Sequence, residues 1–226
     1  MELTRKHPDR IRALASLPLD DIPASLAEIE RVAKIREVVG IAIGSNVNGV
    51  SLSDDRFEPV WKKINEHRLP VVEHPMFPSF DEDLPEYNLA LMMGFYFDTQ
   101  IMVTRMILNG VFERYPDFPF IVAHTGGGML GVMHRYSRIP NAYPEVKAKM
   151  HDKPFETFIK NLYWDSCAIG EPMLLLARDL VGTEHLLFGT DYPYTGIGTE
   201  HVDTLPLSGA EKKLMLGDNA ARVFKL

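Results

Sequence analysis

Cysteine is almost missing from this chain. Cys167 is the sole one among 226 residues, which excludes an internal disulfide framework and suits a reducing compartment, so a cytoplasmic setting is expected. Long apolar runs are missing as well: none approaches the roughly 18 residues that a membrane span requires, and no signal peptide opens the chain. Positive charge is not in excess either. With 24 Lys and Arg against 31 Asp and Glu, a formal charge of −7, and no basic run with interleaved aromatics, the chain is not patterned for nucleic acid. A small molecule is the expected partner. No internal repeat, low-complexity tract or linker interrupts the chain. With 46% hydrophobic content it can bury one sizeable core, so residues 1–226 are expected to form a single domain.

What remains is an alternation of two periods. Near-continuous apolar runs of strand length occur in IRALASLP (11–18), GIAIGS (40–45), LPVVEH (69–74), PFIVAH (119–124), LYWDS (162–166) and HLLFGTD (185–191). Parallel strands covered on both faces look like this. Helix-period segments lie between them. In SDDRFEPVWKKINEHR, Phe57, Val60, Trp61 and Ile64 form one stripe, with Ser53 the expected N-cap. A second helix is expected from Thr99 to Glu113, with Ile101, Arg105, Leu108 and Phe112 in one row and Arg105 snorkelling or facing a partner. EPMLLLARDLVG reads as a third, stopped by Gly182, while Ser208 to Glu211 is a capping box and Asp218 starts the last helix. Six strands with helical crossovers fit either an open doubly wound sheet or a (β/α) barrel, and periodicity does not choose between them.

Three runs end in groups that chemistry can use: His74 after VVE, His124 after FIVA and Asp191 after LFGT. In parallel α/β architectures the C-terminal strand ends form the site, so these three are expected to converge in one pocket. Strand alternation agrees, since Val72 shares a face with His74, Val122 with His124, and Leu187 and Gly189 with Asp191. An unpaired buried charge is costly, so Asp191 must find an ion pair, a metal or a reaction. The other histidines, His7, His67, His134, His151, His185 and His201, lie in polar or helical surroundings and read as surface residues. Cys167 has no adjacent base and reads as a buried structural thiol. The stretch HTGGGML, 124–130, fits two readings equally: an anion cradle at a helix N-terminus, or a tight turn needing positive φ. Arg135, about two turns further on, is the arginine best placed in sequence to reach an anionic substrate.

Taken in order, VVEHP, VFERYPDFPFIVAHTGGGML, YWDS, LLFGTDYP and GDNAARVF resemble, across essentially the whole chain, the amidohydrolase-related family that contains aminocarboxymuconate-semialdehyde decarboxylase and the resorcylate and salicylate-type decarboxylases. The resemblance implies an α/β fold, a (β/α)8 TIM-barrel-like architecture of the metal-dependent hydrolase type, with its site at the C-terminal strand ends. It implies His74 as a metal ligand, His124 as the catalytic histidine, and Asp191 as both ligand and proton-transfer group. Arg135 falls where a helix arginine of the semialdehyde decarboxylase reaches a substrate carboxylate across a dimer interface, so a homodimer is expected. The implied cofactor is a divalent metal, zinc foremost and manganese the alternative. The implied activity is non-oxidative decarboxylation of a small aromatic or muconate-type carboxylic acid.

One element of that family is absent. No His-x-His occurs anywhere in the chain, whereas the family's first strand carries that pair as two metal ligands, and the opening RKHPDRIRALASLPLDD resembles the family around its third strand. About two strands are therefore expected to be lacking at the N-terminus. Metal binding is then expected to be weak or absent in the chain as it stands, and the first and last strands to have unpaired edges. Two further readings stay open: a hydrolase of the same superfamily such as a lactonase, and a non-catalytic remnant acting through protein contacts.

Overall fold

Each apolar run becomes a strand, shorter than the run except at GIAIGS, whose strand is equally long and begins two residues earlier. In the computed structural model, which describes residues 2–147, 153–167, 170–195 and 198–226, these are β1 (Ala13–Ser16) and β2 (Val38–Ile43), a small hairpin of β3 (Asn46–Val47) and β4 (Val50–Ser51), then β5 (Val71–Glu73), β6 (Phe120–Val122), β7 (Tyr163–Asp165) and β8 (Leu186–Leu187). The six long-range strands form one parallel sheet in the order β1-β2-β5-β6-β7-β8. That order follows the chain without reversal. A doubly wound sheet reverses its strand order at a switch point, so the monotonic order selects the wall of a (β/α) barrel from the two topologies that periodicity left open.

Helices cross between the strands, and their faces follow from the sequence. Residues Glu58–His67 bury the expected stripe of Phe57, Val60, Trp61 and Ile64, and the Trp61 indole N–H donates to the Leu52 carbonyl at 2.9 Å. Its entry differs from expectation: a single 3-10 turn, Asp55–Phe57, precedes the helix and is capped by the Asp54 carboxylate accepting from Arg56 N. Ser53 instead pairs its hydroxyl with that of Ser51. Gly182 ends the helix Glu171–Val181, and Ser208 and Glu211 form the capping box.

The helix expected over 99–113 begins earlier and breaks sooner, running Phe95–Leu108 before Gly110 turns left-handed at φ 71°. Its buried side is Met102, Val103, Met106 and Ile107, while Ile101 and Arg105 face outward. Both sides of this helix are apolar, so periodicity alone offers two stripes and packing against the sheet selects one. One core cluster, centred on Trp61, Trp164, Phe57, Phe120 and Phe155, fills the space between the sheet and these helices. Among the described residues, no helix is long and apolar enough to cross a membrane.

Candidate metal centre

The three chemistry-bearing residues reach one place by three different local routes. His74 directly follows β5 and continues its ladder, with its N–H donating to the Ile43 carbonyl at 3.0 Å. His124 lies two residues past β6 in a left-handed turn, where φ is 54° at His124, 50° at Thr125, and 70°, 59° and 94° at Gly126, Gly127 and Gly128. Asp191 lies four residues past the end of β8, with φ 53°. Strand alternation therefore accounts for His74 but not for the other two: the left-handed turn reorients His124, and β8 has ended before Asp191 is reached.

The left-handed run settles the structural half of the HTGGGML question. A Cβ on Gly126 would sit 2.6 Å from the Trp164 ring, and one on Gly127 would sit 2.5 Å from Tyr96 Cβ. These glycines are needed both for their backbone angle and for close approach. His124 and Thr125 adopt the same angles at a cost of roughly 1–2 kcal/mol each. β7 offsets that cost: the His124 N–H donates to the Asp165 carboxylate at 2.7 Å, and the Thr125 hydroxyl donates to the Asp165 carbonyl at 2.7 Å.

His74, His124 and Asp191 each offer one ligand atom, and the three atoms lie within 4.8 Å of one another. His74 Nε2 is 3.2 Å from Asp191 Oδ1, and His124 Nε2 is 3.8 Å from Asp191 Oδ2. The two imidazoles meet edge to face, 5.2 Å between centroids, and the Tyr96 ring lies 5.5 Å from His124. Burial grades across the group: His74 is exposed, Asp191 partly so, and His124 buried. Burial holds the His124 pKa below its ordinary value, the nearby His74 lowers it further, and Asp191 opposes both.

The donor set fits a divalent cation. His74 Nδ1 lies 3.1 Å from the Pro75 carbonyl, which can only accept, so that nitrogen carries a proton. In the neutral ring Nε2 then presents a lone pair to the Asp191 carboxylate, an arrangement satisfied by a second proton or by a cation shared between them. His124 Nδ1 is buried with no hydrogen-bond partner among the described residues. Two imidazoles and a carboxylate are a familiar set for a transition metal.

Two carboxyls back this cluster, Glu73 fully buried and Asp165 partly so. Glu73, fully buried beside His74, accepts from the Thr99 hydroxyl at 2.8 Å and from Ala123 N at 3.2 Å, and burial pushes its pKa up to about 8. Asp165 accepts from His124 N and Cys167 N, and burial pushes it up to about 7. The Cys167 thiol is buried and pushed up to about 12, as befits an inert structural group.

Arg135 does not join the cluster. It is exposed on the helix Met129–Ala142 and lines a separate cavity of about 610 Å3 with His134, Arg138, Ile139 and Ala142. Among the remaining histidines, His134 is exposed as expected, and His151 lies outside the described residues. His67, His185 and His201 depart from expectation, each partly buried: His67 pairs with Glu30, His185 stacks on Tyr163, and His201 stacks on Phe188 and pairs with Ser166. No local pattern announces that pair, because its members are 35 residues apart.

Comparison with known proteins shows the family and the fold. The sequence profile of the amidohydrolase family matches residues 1–226. The 2-amino-3-carboxymuconate-6-semialdehyde decarboxylase of Dictyostelium discoideum is 30% identical over 193 residues, covering 85% of this chain and 54% of that protein. The chain thus spans about half the length of that relative. The crystal structure of 5-carboxyvanillate decarboxylase from Sphingomonas paucimobilis superposes with a TM-score of 0.91 at 26% identity, covering all of this chain and 70% of that one. The corresponding enzyme from Novosphingobium aromaticivorans, solved with manganese and 4-hydroxy-3-methoxy-5-nitrobenzoic acid, superposes at 0.93 with 24% identity, covering 100% of this chain and 67% of that one.

Proposed function

The chain belongs to the amidohydrolase family, and from that premise we propose that its strand-end cluster serves metal-dependent, non-oxidative decarboxylation of a small aromatic or muconate-type carboxylic acid. The observation that carries the reading is the convergence of His74, His124 and Asp191 within 4.8 Å at the C-terminal ends of parallel strands, where this architecture does its chemistry. The decarboxylases among its relatives support the substrate class. Residues 1–226 are read as one domain.

His74 and Asp191 are the proposed ligands. A bound divalent cation would supply positive charge to neutralise the substrate carboxylate and an adjacent oxygen. Manganese, present in several structural neighbours, and zinc both suit the donors. Loss of CO2 breaks the bond between the carboxyl carbon and its neighbour, leaves the electron pair on that neighbour, and requires a proton there. His124 and Asp191 are the proposed proton-transfer pair. Burial keeps the His124 imidazole neutral down to lower pH than a free histidine, and its Nε2, 3.8 Å from Asp191 Oδ2, is the nitrogen placed to accept a proton from substrate or Asp191 and return it.

Arg135 is proposed to bind a substrate carboxylate. Its exposed position away from the cluster supports presentation to the site of a second copy, hence a homodimer.

The test is CO2 release from aromatic and muconate-type acids at saturating manganese or zinc, by the native chain and by Asp191→Asn. The substitution keeps shape but removes anionic ligation and the proton carrier, so the rate should fall by at least about 10²-fold. Near-native turnover in Asp191→Asn would remove Asp191 from the mechanism. Lactone hydrolysis by metal-free protein would replace the reading with the hydrolase one.

A further inference from the structure

Outside the cluster, one pair of side chains combines a nucleophile with a base, and its placement assigns it a different task. Ser166, immediately after β7 and fully buried, has its hydroxyl 2.8 Å from His201 Nε2. His201 Nδ1 lies 3.0 Å from the Gly198 carbonyl, which can only accept, so Nδ1 carries the ring proton and Nε2 accepts from Ser166. The Ser166 oxygen in turn accepts from Gly189 N at 3.3 Å. The direction of the chain is fixed throughout: Gly189 N–H to Ser166, Ser166 O–H to His201, and His201 N–H to Gly198. The His201 ring also stacks on Phe188, 5.4 Å between centroids and 20° between planes.

We propose that Ser166 and His201 are positioning residues that hold the Asp191 segment against β7. The anchored backbone, Phe188 and Gly189 on one side and Gly198 on the other, flanks Asp191, whose own angle is left-handed and whose carbonyl accepts from Tyr194 N at 2.8 Å. Gly189 lies close to the neighbouring carboxyl, since a Cβ there would stand 3.1 Å from Asp165 Cβ. Asp165 holds the His124 turn and Ser166 holds the Asp191 segment, so two consecutive residues at the end of β7 set the distance between the strand-end groups on either side. Full burial removes Ser166 from any role as a nucleophile toward substrate. The inference rests on the metal-site reading for its consequence, since Asp191 placement would then govern cation affinity.

The experiment compares native protein with His201→Phe, His201→Gln, Ser166→Ala and the double variant Ser166→Ala/His201→Phe. Phenylalanine retains the stack on Phe188 but has no acceptor, whereas the glutamine amide oxygen can accept from Ser166. In metal-free protein, hydrogen exchange of the Tyr194 amide should quicken about tenfold in His201→Phe and in Ser166→Ala, each of which loses the shared Ser166–His201 hydrogen bond together with one of its neighbours. It should return most of the way in His201→Gln, and the double variant should fall short of the sum of the two single effects, because both single variants lose the same Ser166–His201 bond. Manganese affinity by calorimetry should fall about tenfold in parallel. Unchanged exchange in His201→Phe, or glutamine behaving like phenylalanine, would overturn the proposal. Native protein that binds no manganese would instead overturn the metal-site reading, and the exchange comparison would still decide whether the pair positions the segment.

Discussion

Glu73 and Asp165 show how much a residue's surroundings can say that its identity does not. Each stands beside a proposed functional histidine, and each is pushed upward by burial, to about 8 and about 7. A carboxyl with a raised folded-state pKa binds more protons in the folded chain than in the unfolded one between its unfolded and folded values. The stability it contributes is therefore fully present below its unfolded pKa, near pH 4, and is lost as pH rises through the folded value, at up to about 1.4 kcal/mol per pH unit for each group. His124 acts with the opposite sense, since its lowered pKa costs stability as pH falls below its ordinary value of 6.5. Glu73→Gln, whose amide oxygen can accept from Ala123 N while its NH2 donates to the Thr99 hydroxyl, should flatten the decline in urea-unfolding stability of metal-free protein between about pH 5 and pH 8. An unchanged slope would show that Glu73 does not titrate in that window. Neither carboxyl stood out in the sequence: each reads as an ordinary polar end to an apolar strand. Only the tertiary packing, which places Thr99 and Ala123 around Glu73, and His124 and Cys167 against Asp165, reveals how far each is withdrawn from water. His74, His124 and Asp191 were legible because strand ends in parallel sheets lie on one side, a property that topology enforces.

At the scale of elements, the strands were legible because a doubly covered parallel strand must be apolar on both faces, and six short runs met that demand. Helix Phe95–Leu108 was read less well because apolar residues surround it, so its sequence period cannot tell the sheet-facing side from the outward one. The turn after β6 was half legible: three glycines announce positive φ, but nothing in the sequence required His124 and Thr125 to join them. The structure divides the glycines into two kinds. Gly127→Ala would combine left-handed strain with a Cβ 2.5 Å from Tyr96 Cβ and 2.8 Å from its Cα, so a loss of about 2–4 kcal/mol is expected. Gly128→Ala would place its Cβ with nothing within 4 Å, and should cost only the backbone strain of about 1–2 kcal/mol. Urea titration of the two variants side by side checks the difference; equal losses would mean that contact with Tyr96 contributes nothing.

For the whole molecule, the consequence of the monotonic strand order lies at its two ends. Sequence reasoning expected both outer strands to expose their edges, and the structure corrects one of them. At β8 the Leu186 carbonyl accepts from the Asn219 amide at 2.8 Å, and the Phe188 N–H donates to the Met215 carbonyl at 2.9 Å, so the C-terminal helical segment covers that side. At β1 the pairing within the sheet runs to β2 alone among the described residues, and Leu14 is 39% exposed. An uncovered strand with an apolar side chain is a template for further pairing. A polypeptide of these 226 residues is therefore expected to associate beyond a dimer, and Leu14→Lys, which charges the edge, to return it to a dimer or smaller. Three clustered donors also coordinate more weakly than the four protein ligands of a closed site, so the same preparation, dialysed without added metal, should retain far less than one ion per chain. Sedimentation velocity and elemental analysis on one sample measure both. A monodisperse native species no larger than a dimer would show that the β1 edge is blunted in solution, and a firmly held stoichiometric ion would show that groups beyond His74, His124 and Asp191 complete the coordination.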